Sequence, residues 1–200
     1  MNIKRICVFG DSIAWGACDY ERGGWVERLK VYFLENADID VYNFGVSGNT
    51  TSDLLNRFDS EIRIMDPEVI VFAIGINDTK YLKDPNFPVT NINQFENNIL
   101  TLINKARKLT DKIVFVGLTP VDELKTKPRI HDGTEKNYDN EIIEKYNSLL
   151  SELCKREEVQ FINVFSSFGE MDLEDGLHPN SNGHKVVFEK VKSVIENLDK

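Results

Sequence analysis

Apolar positions along this chain fall into two alternating kinds of run. Five short stretches rich in β-branched and aromatic residues read as strands: Arg5 to Phe9, Ile39 to Phe44, Val69 to Ile74, Lys112 to Leu118 and Val159 to Phe165. Between and after them, apolar residues recur at helical spacing in Trp25 to Glu35, Thr51 to Ile64, Ile92 to Leu109, Glu141 to Arg156 and about Ser181 to Leu198, which predicts five helices. Strands that are apolar almost throughout, each followed by a helix, belong to a parallel sheet covered on both faces, because right-handed crossovers lay the helices against it. The expected fold is a three-layer α/β/α sandwich on a five-stranded parallel sheet. No Pro/Gly-rich linker, repeat or low-complexity tract interrupts the pattern, so one domain is expected over residues 1–200.

Two connections are longer than such a fold requires. They run from Thr79 to Asn91 and from Thr119 to about Asp139, after the third and fourth strands. Ligands of open α/β sheets bind at the carboxyl ends of the strands, so these loops either line a site there or are tolerated surface insertions.

Composition narrows the choice of partner. The 33 Asp and Glu outnumber the 24 Lys and Arg, and a net charge of -9 repels nucleic-acid phosphates and anionic membranes alike. The apolar run at the N-terminus is too short for a signal peptide, and no run is long enough for a bilayer span. Cys7, Cys18 and Cys154 are odd in number and lack metal-type spacing, which suits a reducing compartment and leads us to expect a cytoplasmic protein. Sequons at Asn49 and Asn77 fall inside the candidate site segments, where a glycan would block access, and read as coincidence.

Four segments carry candidate chemistry. The first strand runs into Gly10-Asp11-Ser12-Ile13, which places a hydroxyl at a strand-to-helix turn; such a serine is either a pre-positioned nucleophile or a helix cap. Asp11 is too close in sequence to act on Ser12 and reads as ordering its turn. The second strand ends in Gly45-Val46-Ser47-Gly48-Asn49, where Gly48 can offer its backbone N–H without obstruction. Ser47 is set aside as nucleophile, because the elbow pattern needs glycine where Asn49 stands. After the third strand, Asn77 of Gly75-Ile76-Asn77-Asp78 is either a turn residue or an amide donor to a developing negative charge. In Asp175-Gly176-Leu177-His178-Pro179, residues three apart in a tight turn can face each other, which supplies a base together with its orienting acid. His184 lacks an acid at that spacing and His131 lies in a loop. A metal held by Asp172, Asp175 and His178 is the competing reading, against which no second histidine stands at ligand spacing. Asp11, Asp78, Arg129 and His131 are the candidate substrate contacts.

Together these segments resemble the blocks of the GDSL or SGNH hydrolase superfamily: Gly-Asp-Ser, Ser-Gly-Asn-Thr-Thr, Gly-x-Asn-Asp and Asp-x-x-His-Pro, in that order across nearly the whole chain. The resemblance implies a flavodoxin-like fold with strand order 2-1-3-4-5. It further implies Ser12 as nucleophile, Asp175 and His178 as its acid and base, and an oxyanion hole from Ser12, Gly48 and Asn77. Ile13 replaces the family's leucine at a packing position. No cofactor or metal is implied, and the partner is a small-molecule acyl ester. Thr119-Pro120-Val121-Asp122-Glu123 looks like the corresponding loop of the isoamyl acetate-hydrolysing group, which favours short acyl chains. Thioesterases and lysophospholipases share the superfamily. A flavodoxin-like binding module and a metal-dependent phosphoesterase are the readings from other classes; the first predicts a broken triad and the second a denser carboxylate and histidine cluster.

Overall fold

The computed structural model describes residues 3–131, 133–169 and 171–198. Five parallel strands, β1 (Arg5–Gly10), β2 (Asp40–Gly45), β3 (Val69–Ala73), β4 (Ile113–Val116) and β7 (Gln160–Ile162), form one sheet in the order β2-β1-β3-β4-β7. That is the expected 2-1-3-4-5 arrangement of a flavodoxin-like sandwich, with β7 as its fifth strand. Helices α2 (Trp25–Ala37) and α7 (Ser181–Asn197) pack together, while α4 (Ile92–Ala106) packs between α3 (Thr51–Ile62) and α6 (Asn140–Arg156). These five are the helices that the apolar periodicity predicts. Two short helices, α1 (Ser12–Trp15) and α5 (Glu123–Thr126), add to them.

The register places a phenylalanine at one level on every strand. Phe44 pairs with Phe9, Phe9 with Phe72, Phe72 with Phe115 and Phe115 with Phe161. Phe9 stacks on Phe44 with ring centroids 4.7 Å apart, and Phe58 of α3 covers the row at 4.9 Å from Phe9. Aromatic pairs of this kind contribute about 0.5–1.5 kcal/mol each beyond the area they bury. The row lies one residue before Gly10, Gly45 and Ala73, so it fixes the height at which β1, β2 and β3 release the chain. Gly10 is required there: a Cβ on it would lie 2.4 Å from the Ala73 carbonyl oxygen and 2.5 Å from the Ala14 Cβ.

The structure departs from the sequence reading in the loop after β4, expected to be irregular from Thr119 to about Asp139. It contains α5 and an antiparallel hairpin of β5 (Arg129–His131) and β6 (Thr134–Lys136). Strands of three residues, with Ile130 their single apolar position, give too little alternation to register as strands, although Asp132-Gly133 is a hairpin signal in the sequence. A bridge between Tyr81 and Asn137 ties the hairpin to the other long loop. Among the described residues no helix is long and apolar enough to cross a membrane.

Candidate active site

The structure brings Ser12, His178 and Asp175 into one hydrogen-bonded relay at the carboxyl edge of the sheet. Ser12 Oγ lies 2.9 Å from His178 Nε2, and His178 Nδ1 lies 2.8 Å from Asp175 Oδ2. The Asp175 carboxylate fixes the imidazole as the Nδ1–H tautomer, which leaves Nε2 free to accept from the serine. Asp175 itself is held by its turn, since its Oδ1 accepts from the backbone N–H of Leu177 at 3.0 Å and of His178 at 2.8 Å. Burial alone would raise this carboxyl, but the bonds from the His178 ring and backbone, then from Arg129, hold it far below the usual carboxylate range.

The serine is presented by a turn that the sequence specifies closely. Asp11 caps α1 by accepting from Ile13 N at 2.9 Å. Burial pushes the Asp11 carboxyl up to about 7, and the Ile13 bond only partly opposes this. Asp78 is fully buried and accepts from Thr51 N at 2.9 Å and Thr51 Oγ1 at 2.6 Å, which pins the start of α3; burial raises its carboxyl to about 6. Both carboxylates are buried and hold backbone in place, Asp11 ordering its turn as expected, and neither lines the cavity beside Ser12 where they were expected to contact substrate.

Gly48 and Asn77 stand on the same cavity wall as Ser12 and His178. The cavity measures about 420 Å³, and Arg129, Lys136 and Tyr138 also line it. Gly48 has φ +81°, a left-handed conformation that favours glycine, with no atom within 4 Å of where a Cβ would stand. Asn77 Nδ2 donates to the Asn49 carbonyl at 3.1 Å, while its Oδ1 accepts from Tyr138 Oη at 3.1 Å. The tyrosine thereby fixes which end of the amide is the donor, and the second N–H of Nδ2 remains available. Arg57 of α3 secures the same edge from behind, donating to the carbonyls of Gly10 at 3.0 Å and Phe44 at 2.9 Å and to Asn49 Oδ1 at 2.7 Å, with Glu61 as its ion-pair partner.

The sequence reading missed Arg57 and Tyr138. A charged residue on the apolar side of α3, between Leu54 and Phe58, was the available signal for Arg57; Tyr138 had none, because its partner is 61 positions away. Arg129 faces the cavity as anticipated, but its guanidinium is committed to Asp175, with Nη2 2.7 Å from Oδ2 and Nη1 3.1 Å from the Asp175 carbonyl. His131 ends β5, and its side chain lies outside the described residues.

His184 is fully buried, bonded through Nε2 to Ala17 O at 2.9 Å and through Nδ1 to Trp25 N at 3.3 Å, and burial lowers its pKa. It braces the segment after Ser12. Asp172 accepts from Gly169 N at 2.8 Å. The ligand-type group found among the described residues is instead Cys18, Asp175 and His178, whose donor atoms lie within 4.8 Å of one another. Its Asp175 and His178 are already bonded to each other. Cys7 and Cys154 are buried thiols pushed up to about 12 by burial, which makes them packing residues.

Comparison with known proteins gives one consistent answer. A GDSL esterase/lipase of Arabidopsis thaliana is 22% identical over 98% of this chain and 80% of its own length. An acetylxylan esterase of Geobacillus stearothermophilus is 22% identical over 92% of this chain and 90% of its own. The crystal structure of a lipase/acylhydrolase from Enterococcus faecalis superposes with a TM-score of 0.80 at 20% identity, covering 97% of this chain and 96% of that one. The sequence model of the GDSL-like lipase/acylhydrolase family matches residues 8–186. The chain belongs to that family, and it is a carboxylic ester hydrolase.

Proposed function

We propose that this protein hydrolyses short-chain acyl or acetyl esters through an acyl-enzyme on Ser12. The observation that carries the reading is the unbroken relay from Ser12 Oγ through His178 to Asp175, opening on a cavity walled by Gly48 and Asn77. His178 Nε2 takes the Ser12 proton as Oγ bonds to the acyl carbon. The tetrahedral oxyanion sits against the N–H groups of Ser12 and Gly48 and the spare N–H of Asn77. When the intermediate collapses, the ester C–O bond breaks and His178 returns the proton to the leaving alkoxide. Water, deprotonated by the same nitrogen, then attacks the acyl carbon and frees the acid and Ser12. Every step uses groups of this chain and none requires a metal or cofactor. A short acyl group agrees with the modest cavity and with the acetylxylan esterase among its relatives.

The test is labelling with a fluorophosphonate probe together with hydrolysis of p-nitrophenyl acetate, on the parent and on Ser12→Ala. Labelling and turnover in the parent, both lost in the variant, are expected. A folded parent that neither labels nor turns over rules the mechanism out. A chain-length series of p-nitrophenyl esters checks the substrate, and an optimum beyond about eight carbons would overturn the short-chain reading.

A further inference from the structure

Two cations line the cavity beside Ser12, and they differ in what they face. Arg129 is neutralised by Asp175. Lys136, half-buried at the end of β6, has no carboxylate partner among the described residues. Glu135 next to it is exposed and accepts from Asn137 Nδ2 at 3.0 Å.

Lys136 is not on a loosely held strand end. Asn137 N donates to the Tyr81 carbonyl at 2.8 Å, Tyr81 N donates to the Asn137 carbonyl at 3.1 Å, and Asn137 Nδ2 donates to the Leu82 carbonyl at 2.9 Å. The same bridge brings up Lys80, also half-buried and without an ion-pair partner among the described residues. Burial first, then the Lys136 charge, lowers the Lys80 ammonium, against weaker opposing attraction from Asp53 and Asp78. Those two carboxylates are occupied elsewhere, on Thr50 and Thr51. In a chain of net charge -9, two lysines without carboxylate partners among the described residues thus lie near each other across the Tyr81–Asn137 bridge, and Lys136 lines the cavity. Bringing like charges together and partly out of water is unfavourable unless an anion joins them.

We propose that Lys136, supported by Lys80, forms an anion subsite on the wall of the ester cavity, so that the substrate class is an ester carrying a carboxylate or comparable anionic group near the scissile bond. The assignment rests on the Ser12 reading for the position of that bond, but the subsite is tested by binding as well as by turnover. The anion can sit on either side of the ester, and two substrate pairs separate these cases. On the alcohol side, p-acetoxybenzoate is compared with its neutral methyl ester; on the acyl side, p-nitrophenyl hydrogen adipate is compared with p-nitrophenyl hexanoate.

Calorimetry on Ser12→Ala, which cannot consume the ester, gives the ratio of affinities within each pair, and kinetics on the parent give the ratio of kcat/KM. Tighter binding of the anionic member of at least one pair is expected. The preference should fall about three- to fivefold when Lys136→Met is added, survive in Lys136→Arg, and shrink at high salt, because the lysine is only partly shielded from solvent. Equal affinities within both pairs, or a preference that Lys136→Met leaves unchanged in a variant that still melts cooperatively, would overturn the subsite. A binding preference that depends on Lys136, in a parent that hydrolyses neither member, would uphold the subsite and remove the Ser12 mechanism instead.

Discussion

The two walls of the cavity are built on different physical terms. The wall carrying Ser12, Gly48 and Asn77 grows out of β1, β2 and β3, three to five residues after the phenylalanine row, and Arg57, Asp11 and Asp78 tie its backbone from behind. The facing wall, with Arg129, Lys136 and Tyr138, hangs on a hairpin of three-residue strands. It is secured by the Tyr81–Asn137 bridge, by two bonds from Arg129 to Asp175, and by side-chain bonds from Asn137 to Leu82 and from Tyr138 to Asn77. The difference teaches a division of labour. Under the proposed mechanism the nucleophile and the oxyanion donors sit where the sheet leaves least freedom, and the groups proposed to select the substrate sit where sequence can vary without disturbing the sheet.

Removing a donor from the first wall is the strongest way to break that comparison. Asn77→Ala is expected to lower kcat by ~100- to 1000-fold, roughly 2.7–4 kcal/mol, with KM nearly unchanged, because the lost N–H serves the oxyanion and not the ground-state ester. Steady-state kinetics with p-nitrophenyl acetate check this, and an undiminished kcat removes Asn77 from the mechanism. On the second wall the corresponding change is smaller. Arg129 shares Asp175 Oδ2 with the His178 ring, so under the proposed mechanism it acts by positioning the acid. Its ion pair is partly exposed, which limits its worth to about 1 kcal/mol. Arg129→Met is expected to lower kcat on a neutral ester by up to about fivefold at constant KM, and Arg129→Lys to restore part of the loss. A rise in KM with kcat unchanged would make Arg129 a substrate contact, and the second wall would then serve selection alone.

The two walls were also unequally legible in the sequence. All five strands and the helices between them follow from apolar periodicity, because a buried parallel sheet writes its burial into nearly every residue. Ser12, Asn77 and the Asp175–His178 pair could be placed at one edge because each directly follows a strand or shares a single turn. Arg57, Tyr138 and Lys136 could not, since each acts on partners or a cavity assembled from distant segments. Asp11 orders its turn, as its place beside Ser12 suggests, but the burial of both Asp11 and Asp78 is set by packing that no single segment of sequence displays.

That burial yields the smallest prediction, confined to the first wall. The carboxyl of Asp11 titrates at about 7 in the folded chain and ordinarily near 3.8, so the folded state binds its proton more tightly than the unfolded chain does. Its contribution to stability is therefore complete below about pH 4 and is lost as pH rises through about 7. Asp78 acts in the same direction but has largely titrated above about 6, which leaves pH 6 to 8 as the window where Asp11 dominates the pair. Across that window the loss amounts to about 1 kcal/mol, or roughly 2–4 °C in melting temperature for a chain of this size. Asn in place of Asp11 retains an oxygen to accept from Ile13 N and cannot ionise. Asp11→Asn is thus expected to flatten the fall in melting temperature between pH 6 and 8 while keeping the cap on α1. If parent and variant lose the same amount over this range, Asp11 is ionised throughout, and the wall that holds Ser12 carries a buried charge that the cap alone must stabilise.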